Sequence, residues 1–215
     1  MKSDLTLKKI EELYTNNLKS SGKTSAAVGW NTLESQELRF NKLTSVINEI
    51  ILPVTINDYG CGYGAHLKYL EKNGYKITRY NGYDISTTMI DTAKENLSSF
   101  EGRLELYNGS EIKTPADYTF VSGTFNVRFD DDNNSWKNFI KNKLEEINHN
   151  SIKGFSFNLL STYVDYKESH LYYGNPCYWF DYCKNNFSRN ISLLHDYPLY
   201  EWTIIVKFDD SDFGV

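Results

Sequence analysis

Residues 54 to 64 read Val-Thr-Ile-Asn-Asp-Tyr-Gly-Cys-Gly-Tyr-Gly, and this stretch constrains the chain more than any other. An apolar run ends in Asp58 and breaks into Gly60, Gly62 and Gly64, with a helical pattern beyond. Glycines at alternate positions let a backbone turn sharply after a strand and approach a ligand closely, since no Cβ intervenes. A following helix aims its unpaired N–H groups over that turn. Asp58 adds a negative charge, so the site suits a ligand with a nucleoside end and a cationic end. A second acid, Asp84, closes the apolar run Ile77 to Tyr83. An acid at the tip of the second strand of a βαβ unit accepts hydrogen bonds from ribose hydroxyls.

With these residues the chain resembles the class I S-adenosylmethionine (SAM)-dependent methyltransferases, whose signature is an apolar strand, Asp-x-Gly-x-Gly-x-Gly, and an acid closing the next strand. Here these are Asp58, Gly60, Gly62, Gly64 and Asp84, with Cys61 inside the turn. Gly60, Gly62 and Ala65 also satisfy the G-x-G-x-x-A of dinucleotide-binding oxidoreductases, but Asp58 would repel a pyrophosphate. A tight strand-to-helix turn with no ligand is the bland alternative.

The pass along the chain gives alternating elements. Ile10, Leu13, Tyr14 and Leu18 mark a helix over residues 4 to 19, broken at Ser20-Ser21-Gly22. Asn31 with Glu34 suggests the start of a helix whose face is Phe40, Leu43, Val46, Ile47 and Ile50, ended by Pro53. Strands are expected at Val54–Asp58, Ile77–Asp84, Arg103–Tyr107, Tyr118–Ser122, Gly154–Leu160, Ile191–Leu194 and Glu201–Phe208. Helices are expected at Ala65–Asn73, from Ser86 through Leu97, from Trp136 through Ile147, and from Asn175-Pro176 to about Phe187. Such alternation implies βαβ units and a mostly parallel sheet with helices on both faces. The last two strands have no helix between them and imply an antiparallel edge. The fold class is therefore α/β, Rossmann-like and seven-stranded, with residues 1–50 as an N-terminal helical cap or lid on a 51–215 core, all one domain. Only Asn108 to Asp117 join strands three and four, where the family usually has a helix.

The resemblance assigns further residues. Ile85 and Met89 follow the second strand, and Ser110 and Glu111 end the third, at the corner that touches adenine in the family. Gly123 after the fourth strand lets backbone pass near the methyl donor, and Asn126 offers a donor and an acceptor beside the reacting centre. Trp30, Gln36 and Arg39 match a Gly-Trp…Ser-Gln…Arg-Phe lid segment of small bacterial members, with Arg39 able to hold the methionine carboxylate in a bidentate manner. Between strand five and the next helix, residues 161 to 174 carry Tyr163, Asp165, His170, Tyr172 and Tyr173, a long connection of the kind that carries function. The four Tyr and Asp residues are candidate acceptor contacts. His170 is the first candidate general base and His195 the second.

Net charge is −5 and no basic run occurs, which argues against a nucleic-acid substrate and an anionic membrane. The N-terminus has no apolar leader-like segment, and three cysteines without a Cys-x-x-Cys or Cys/His cluster suit a reducing cytoplasm and no zinc site. Asp130-Asp131-Asp132 lacks the Gly and distal Glu of a calcium loop and reads as a solvated turn, so no metal is expected. The expectation is a cytoplasmic enzyme, monomer or homodimer, using SAM and releasing S-adenosylhomocysteine (SAH). Its acceptor would be a small polar molecule, methylated on a hydroxyl of a sugar or related metabolite. A catalytically silent SAM-binding partner module is the second reading.

Overall fold

A computed structural model describes residues 2–48 and 50–208, the side chains from residue 5 onward. Helices are α1 Lys2–Ser21, α2 Leu33–Thr44, α3 Ala65–Lys72, α4 Thr87–Asn96, α5 Asn133–His149 and α6 Pro176–Asn186, with a short 3-10 turn at Ser25–Val28. Strands are β1 Val54–Tyr59, β2 Ile77–Asp84, β3 Arg103–Asn108, β4 Ala116–Val121, β5 Ser151–Ser161, β6 Tyr173–Gly174, β7 Asn190–Leu194 and β8 Glu201–Lys207. The sheet runs β3-β2-β1-β4-β5-β8-β7. It is parallel from β3 to β5, and β8 pairs antiparallel with both β5 and β7. An eighth strand was not expected: β6 adds two residues beside Leu160 and Ser161, off the main order.

Period-two alternation splits the core between the sheet's two faces. Val54, Ile56, Tyr118 and Phe120 face Leu43, Leu67, Leu70, Ile90 and Leu97. Tyr59, Val121, Phe155 and Phe157 face Trp136, Ile140, Leu144, Ile147 and Trp179. Strand order reverses at β1, whose neighbours β2 and β4 lead to opposite edges, so a crevice opens beyond the carboxyl ends of β1 and β4.

Both ends of α2 and the start of α5 differ from expectation for local reasons. The cap of α2 is Thr32, not Asn31: its hydroxyl accepts from the Ser35 N–H at 3.1 Å, and Ser35 Oγ accepts from the Thr32 N–H at 3.3 Å. The same helix stops at Thr44, well before Pro53. Thr44 Oγ1 donates to the Phe40 carbonyl at 2.5 Å and Ser45 Oγ to Lys42, the back-bonding by which Ser and Thr weaken a helix end. Val46 and Ile47 are still buried, whereas Ile50 is exposed. The turn expected at 130–134 starts α5, with Asp132 accepting from the N–H groups of Asn134 and Ser135.

Candidate active site

The glycine turn adopts the conformation that glycine alone accepts readily. Gly60, Gly62 and Gly64 have φ of 79°, 54° and 81°. A Cβ on Gly60 would drive into the Thr124 side chain, and one on Gly64 would stand 2.6 Å from Leu97. The turn is pinned to β2 from above. Gly60 and Cys61 donate N–H bonds to the Tyr83 carbonyl at 2.8 and 3.0 Å, and the Gly62 N–H donates to Asp84 Oδ2 at 2.9 Å. Asp84 Oδ1 accepts from the Ser86 N–H at 2.8 Å. Each carboxylate oxygen thus keeps lone pairs for further donors. Burial raises the Asp84 carboxyl to about 6, against the pull of those two N–H groups.

Above the turn lies a narrow cavity of about 80 Å³ lined by Gly60, Gly62, Asp84, Ile85, Met89, Ser110, Gly123 and Trp30. Eight of its nineteen lining residues, among them Leu7, Ile10 and Tyr14 of α1 and Trp136 and Phe139 of α5, are apolar or aromatic groups the sequence reading does not assign to the site. Their spacing had marked α1 and α5 as amphipathic, which does not tell core from cleft. Tyr14 sits near Asp84, and burial followed by that carboxylate pushes its phenol up to about 12. Thr15 Oγ1 lies 2.8 Å from Ser86 Oγ and Lys9 pairs with Asp130, so α1 is tied down across the cleft, and Lys23 just beyond it meets Glu95 at 3.3 Å.

Asp58 is buried and accepts the Tyr80 hydroxyl at 2.5 Å. Burial raises its carboxyl to about 7; the Tyr80 bond opposes that and the Asp84 charge adds to it. It lines a recess of about 30 Å³ with Gln36, Tyr63, His66 and Ser122. His66, which the sequence reading passed over, stacks on Phe40 at 4.4 Å and meets Thr44 Oγ1 through Nε2 at 3.2 Å. Its Nδ1 has no partner among the described residues, and burial lowers it to about 3, so the ring is neutral. Cys61 also lines this recess, and burial raises its thiol well above the usual range.

A wider cavity of about 490 Å³ adjoins the first across Trp30 and Gly123 and is lined by Asn126, His170, Arg39, Asn17, Asn31 and Tyr200. Asn126 Oδ1 accepts from the Leu160 N–H at 3.1 Å. The loops after β4 and β5 are zipped together here. Val127 bridges Leu171, the N–H groups of Arg128 and Phe129 both donate to the His170 carbonyl at 3.0 Å, and the Arg128 guanidinium donates to the Ser169 carbonyl at 2.7 Å and the Leu171 carbonyl at 3.2 Å. Phe129 takes φ of 47°, a strained value for a bulky residue, at this junction.

Several expected residues lie elsewhere. Arg39 is not a free clamp for the cofactor carboxylate: its Nε meets the buried Glu201 Oε1 at 2.8 Å, its guanidinium stacks 3.7 Å from the Trp30 ring centroid, and it lines the wide cavity. Tyr172 is buried in the core cluster with Trp179, and Tyr173 accepts the Glu168 N–H at 2.9 Å, so neither lines the wide cavity. His195 is exposed beside Tyr163, their rings 5.9 Å apart, and lines neither cavity. Asp165 accepts the Tyr200 hydroxyl at 2.5 Å outside the cavity. Glu111 is exposed and Gly64 caps α3, and both lie off the cleft lining.

The cradle, the ribose-ready acid and the strand order together define a nucleoside-binding α/β protein of the methyltransferase type. The family described as "Methyltransferase domain" matches residues 56–142. Rv1506c of Mycobacterium tuberculosis (strain ATCC 25618 / H37Rv), assigned to the methyltransferases by its name, is 44% identical over 159 residues, covering 72% of this chain and 93% of that protein. Among solved structures, the DhpI–SAH complex superposes with a TM-score of 0.67 at 11% identity, covering 94% of this chain and 96% of DhpI. Magnesium protoporphyrin IX methyltransferase from Synechocystis PCC 6803 with bound SAM gives 0.64 at 11% identity, covering 94% and 97%. The chain belongs to the class I SAM-dependent methyltransferases and is an enzyme of that family. Among the described residues no helix is long and apolar enough to cross a membrane.

Proposed function

We propose that the protein methylates a hydroxyl of a small polar acceptor, a sugar or a related metabolite, from SAM seated over Gly60–Gly64. The observation that carries this reading is the pairing of the Asp84 carboxylate, held by the Gly62 and Ser86 N–H groups, with a second, wider cavity across the thin wall of Trp30 and Gly123. Asp84 would accept the ribose hydroxyls, Ile85, Met89 and Ser110 would flank the base, and Asp58, Gln36 and Gly123 would face the methionyl end. When bound, SAM supplies an electrophilic methyl on a sulfonium. The chain's work is to hold the two reactants in line, which can supply much of the acceleration. Asn126 would orient the acceptor. His170, exposed at the cavity and without a charged partner among the described residues, would take the hydroxyl proton. His195 recedes to the rim in this reading, and residues 1–50 act as the cap of a single catalytic unit. We read the protein as cytoplasmic and as having no nucleic-acid partner, given the net charge of −5.

Calorimetry with SAH, NAD and NADP, followed by methyl transfer from labelled SAM into small-metabolite pools, tests the reading. SAH alone should bind, and label should enter a hydroxyl compound. His170→Ala should then lower turnover by about 10² to 10⁴ while SAH affinity holds. Binding of NAD in place of SAH, or SAH binding with no transfer to any pool, would overturn it, the latter favouring a silent module.

A further inference from the structure

We infer that the acceptor carries an anionic group, a carboxylate or a phosphate ester, which Arg39 and Asn126 receive in the wide cavity. The inference rests on that cavity being the acceptor site. Charge and hydrogen-bond accounting at its walls point this way. Among the described residues that line it, Arg39 and His170 are the ionisable cation-forming groups, and no Asp or Glu is present. Arg39 is 8% exposed. Its Nε is engaged by Glu201 at 2.8 Å and its Nη1 donates to the Ser35 carbonyl at 2.8 Å, while Nη2 makes no hydrogen bond among the described residues. A guanidinium with one amino edge unspent, in a nearly buried side chain, retains directional donors that match an oxyanion.

Asn126 supplies an independent second donor. Its Oδ1 is used by the Leu160 N–H at 3.1 Å, which fixes the amide orientation and leaves Nδ2, with both hydrogens, unbonded among the described residues. That nitrogen lies 3.5 Å from where a Gly123 Cβ would stand, on the wall beside Trp30. A neutral sugar needs donors and acceptors in balance, because each hydroxyl both gives and takes. Here the two most buried polar side chains of the cavity wall, Arg39 and Asn126, offer the unbonded N–H groups of Nη2 and Nδ2 against one remaining lone pair on Asn126 Oδ1.

Glu201 does not cancel this. It lies behind Arg39, fully buried, braced by Asn158 Nδ2 at 3.0 Å, and it does not line the cavity. It orients the guanidinium as an anchoring counter-charge, and an anion in the cavity would face the guanidinium and not the carboxylate. Trp30, 3.7 Å from Arg39, clamps the guanidinium plane from one side. The acceptor class this describes is a hydroxyl compound with an acidic substituent, such as a sugar acid or a phosphorylated sugar.

The test uses the SAH-saturated full-length protein and three probes of similar shape: benzoate, phenyl phosphate and neutral benzyl alcohol. At least one anion should bind about tenfold or more tighter than benzyl alcohol, and whichever it is identifies carboxylate or phosphate as the group received. Arg39→Gln should erase that preference while the protein still binds SAH. Should loss of the Glu201 partner unfold that variant, Asn126→Asp replaces the donor by a negative charge, keeps the acceptor for the Leu160 N–H, and should erase the preference too. Anions binding no tighter than benzyl alcohol to the unaltered protein would overturn the inference, as would a preference surviving in the folded variants. A loss of SAH affinity in Arg39→Gln with 5′-methylthioadenosine affinity intact would also overturn it, assigning Arg39 to the cofactor's carboxylate. Failure of the unaltered protein to bind SAH at all would instead strike the function proposed above.

Discussion

Replacing Asp84 tests the cofactor seat most directly, and the structure sets the expected size. The carboxylate accepts N–H groups from Gly62 at 2.9 Å and Ser86 at 2.8 Å, one on each oxygen. Both oxygens remain able to accept from a vicinal diol. A hydrogen bond to a charged group is worth about 1.5–3 kcal/mol, so Asp84→Ala should weaken SAH about ten- to a hundredfold even if one ribose hydroxyl finds water instead. The substitution also orphans two backbone N–H groups, at about 1–3 kcal/mol for each that stays dry. That loss is offset in part, because burial already disfavours the ionised carboxyl, as its rise to about 6 records. Affinity and stability must therefore be read separately: calorimetry with SAH at pH 8, where Asp84 is ionised, beside thermal melts without ligand. Asp84→Asn preserves the shape but sets an amide N–H against one of the backbone donors, so it should fall on the same side as alanine. Unchanged SAH affinity in a folded Asp84→Ala protein would refute the seat.

Two further outcomes follow from the same geometry. Asp58 rises to about 7 and Asp84 to about 6 from an ordinary 3.8, so each favours folding when protonated. That contribution is fully present below about 4 and is lost as pH climbs through about 6 and 7. The ligand-free protein should lose stability relative to Asp58→Asn between pH 4 and 8, and melts in a pH series that run parallel for the two proteins would contradict it. The lid expectation has its own reporter. Trp179 and Trp202 are buried away from both cavities, while Trp30 and Trp136 line the narrow one, so the part of an SAH-dependent fluorescence change that is lost in Trp30→Phe reports the lid, with slower protease cutting near Lys23. No change in either would leave residues 22–40 a fixed wall.

The parts of this fold written in the sequence are those governed by local rules. Alternating apolar residues gave β1, β2 and β4, positive-φ glycines gave the turn, and Asn175-Pro176 gave the start of α6 to the residue. Contacts between distant segments were not legible. Nothing near Arg39 in sequence shows the carboxylate it pairs with, because that partner, Glu201, lies on the final strand. Tyr172 is a candidate acceptor contact because it lies in one long loop, yet the Arg128 clamp and the β6 pairing accompany its burial in the core, and His195, expected at the carboxyl edge, lies exposed beside Tyr163 just past β7. The hydroxyls of Thr44 and Ser45 end α2 early, a cue present in the sequence but outweighed there by the apolar stripe continuing through Ile50.

The wall between the two cavities is thin, and its construction bears on how one site senses the other. Trp30 and Gly123 border both. Gly123, at φ of 69°, donates its N–H to Asn158 Oδ1 at 2.6 Å; Asn158 Nδ2 donates to Glu201; Glu201 holds Arg39; and Arg39 stacks on Trp30. The loop is closed, since a Cβ at Gly123 would strike the Trp30 ring. Its polar members are buried, where an unpaired group is costly, so none can move far without disturbing the next. A ligand that displaces Trp30 from either side therefore works against the same buried chain, and the position of the guanidinium in the wide cavity is tied to the backbone of the narrow one. With the cofactor and acceptor seated as proposed, such a link would favour having both reactants bound before the wall settles, as an in-line transfer between adjoining cavities would require.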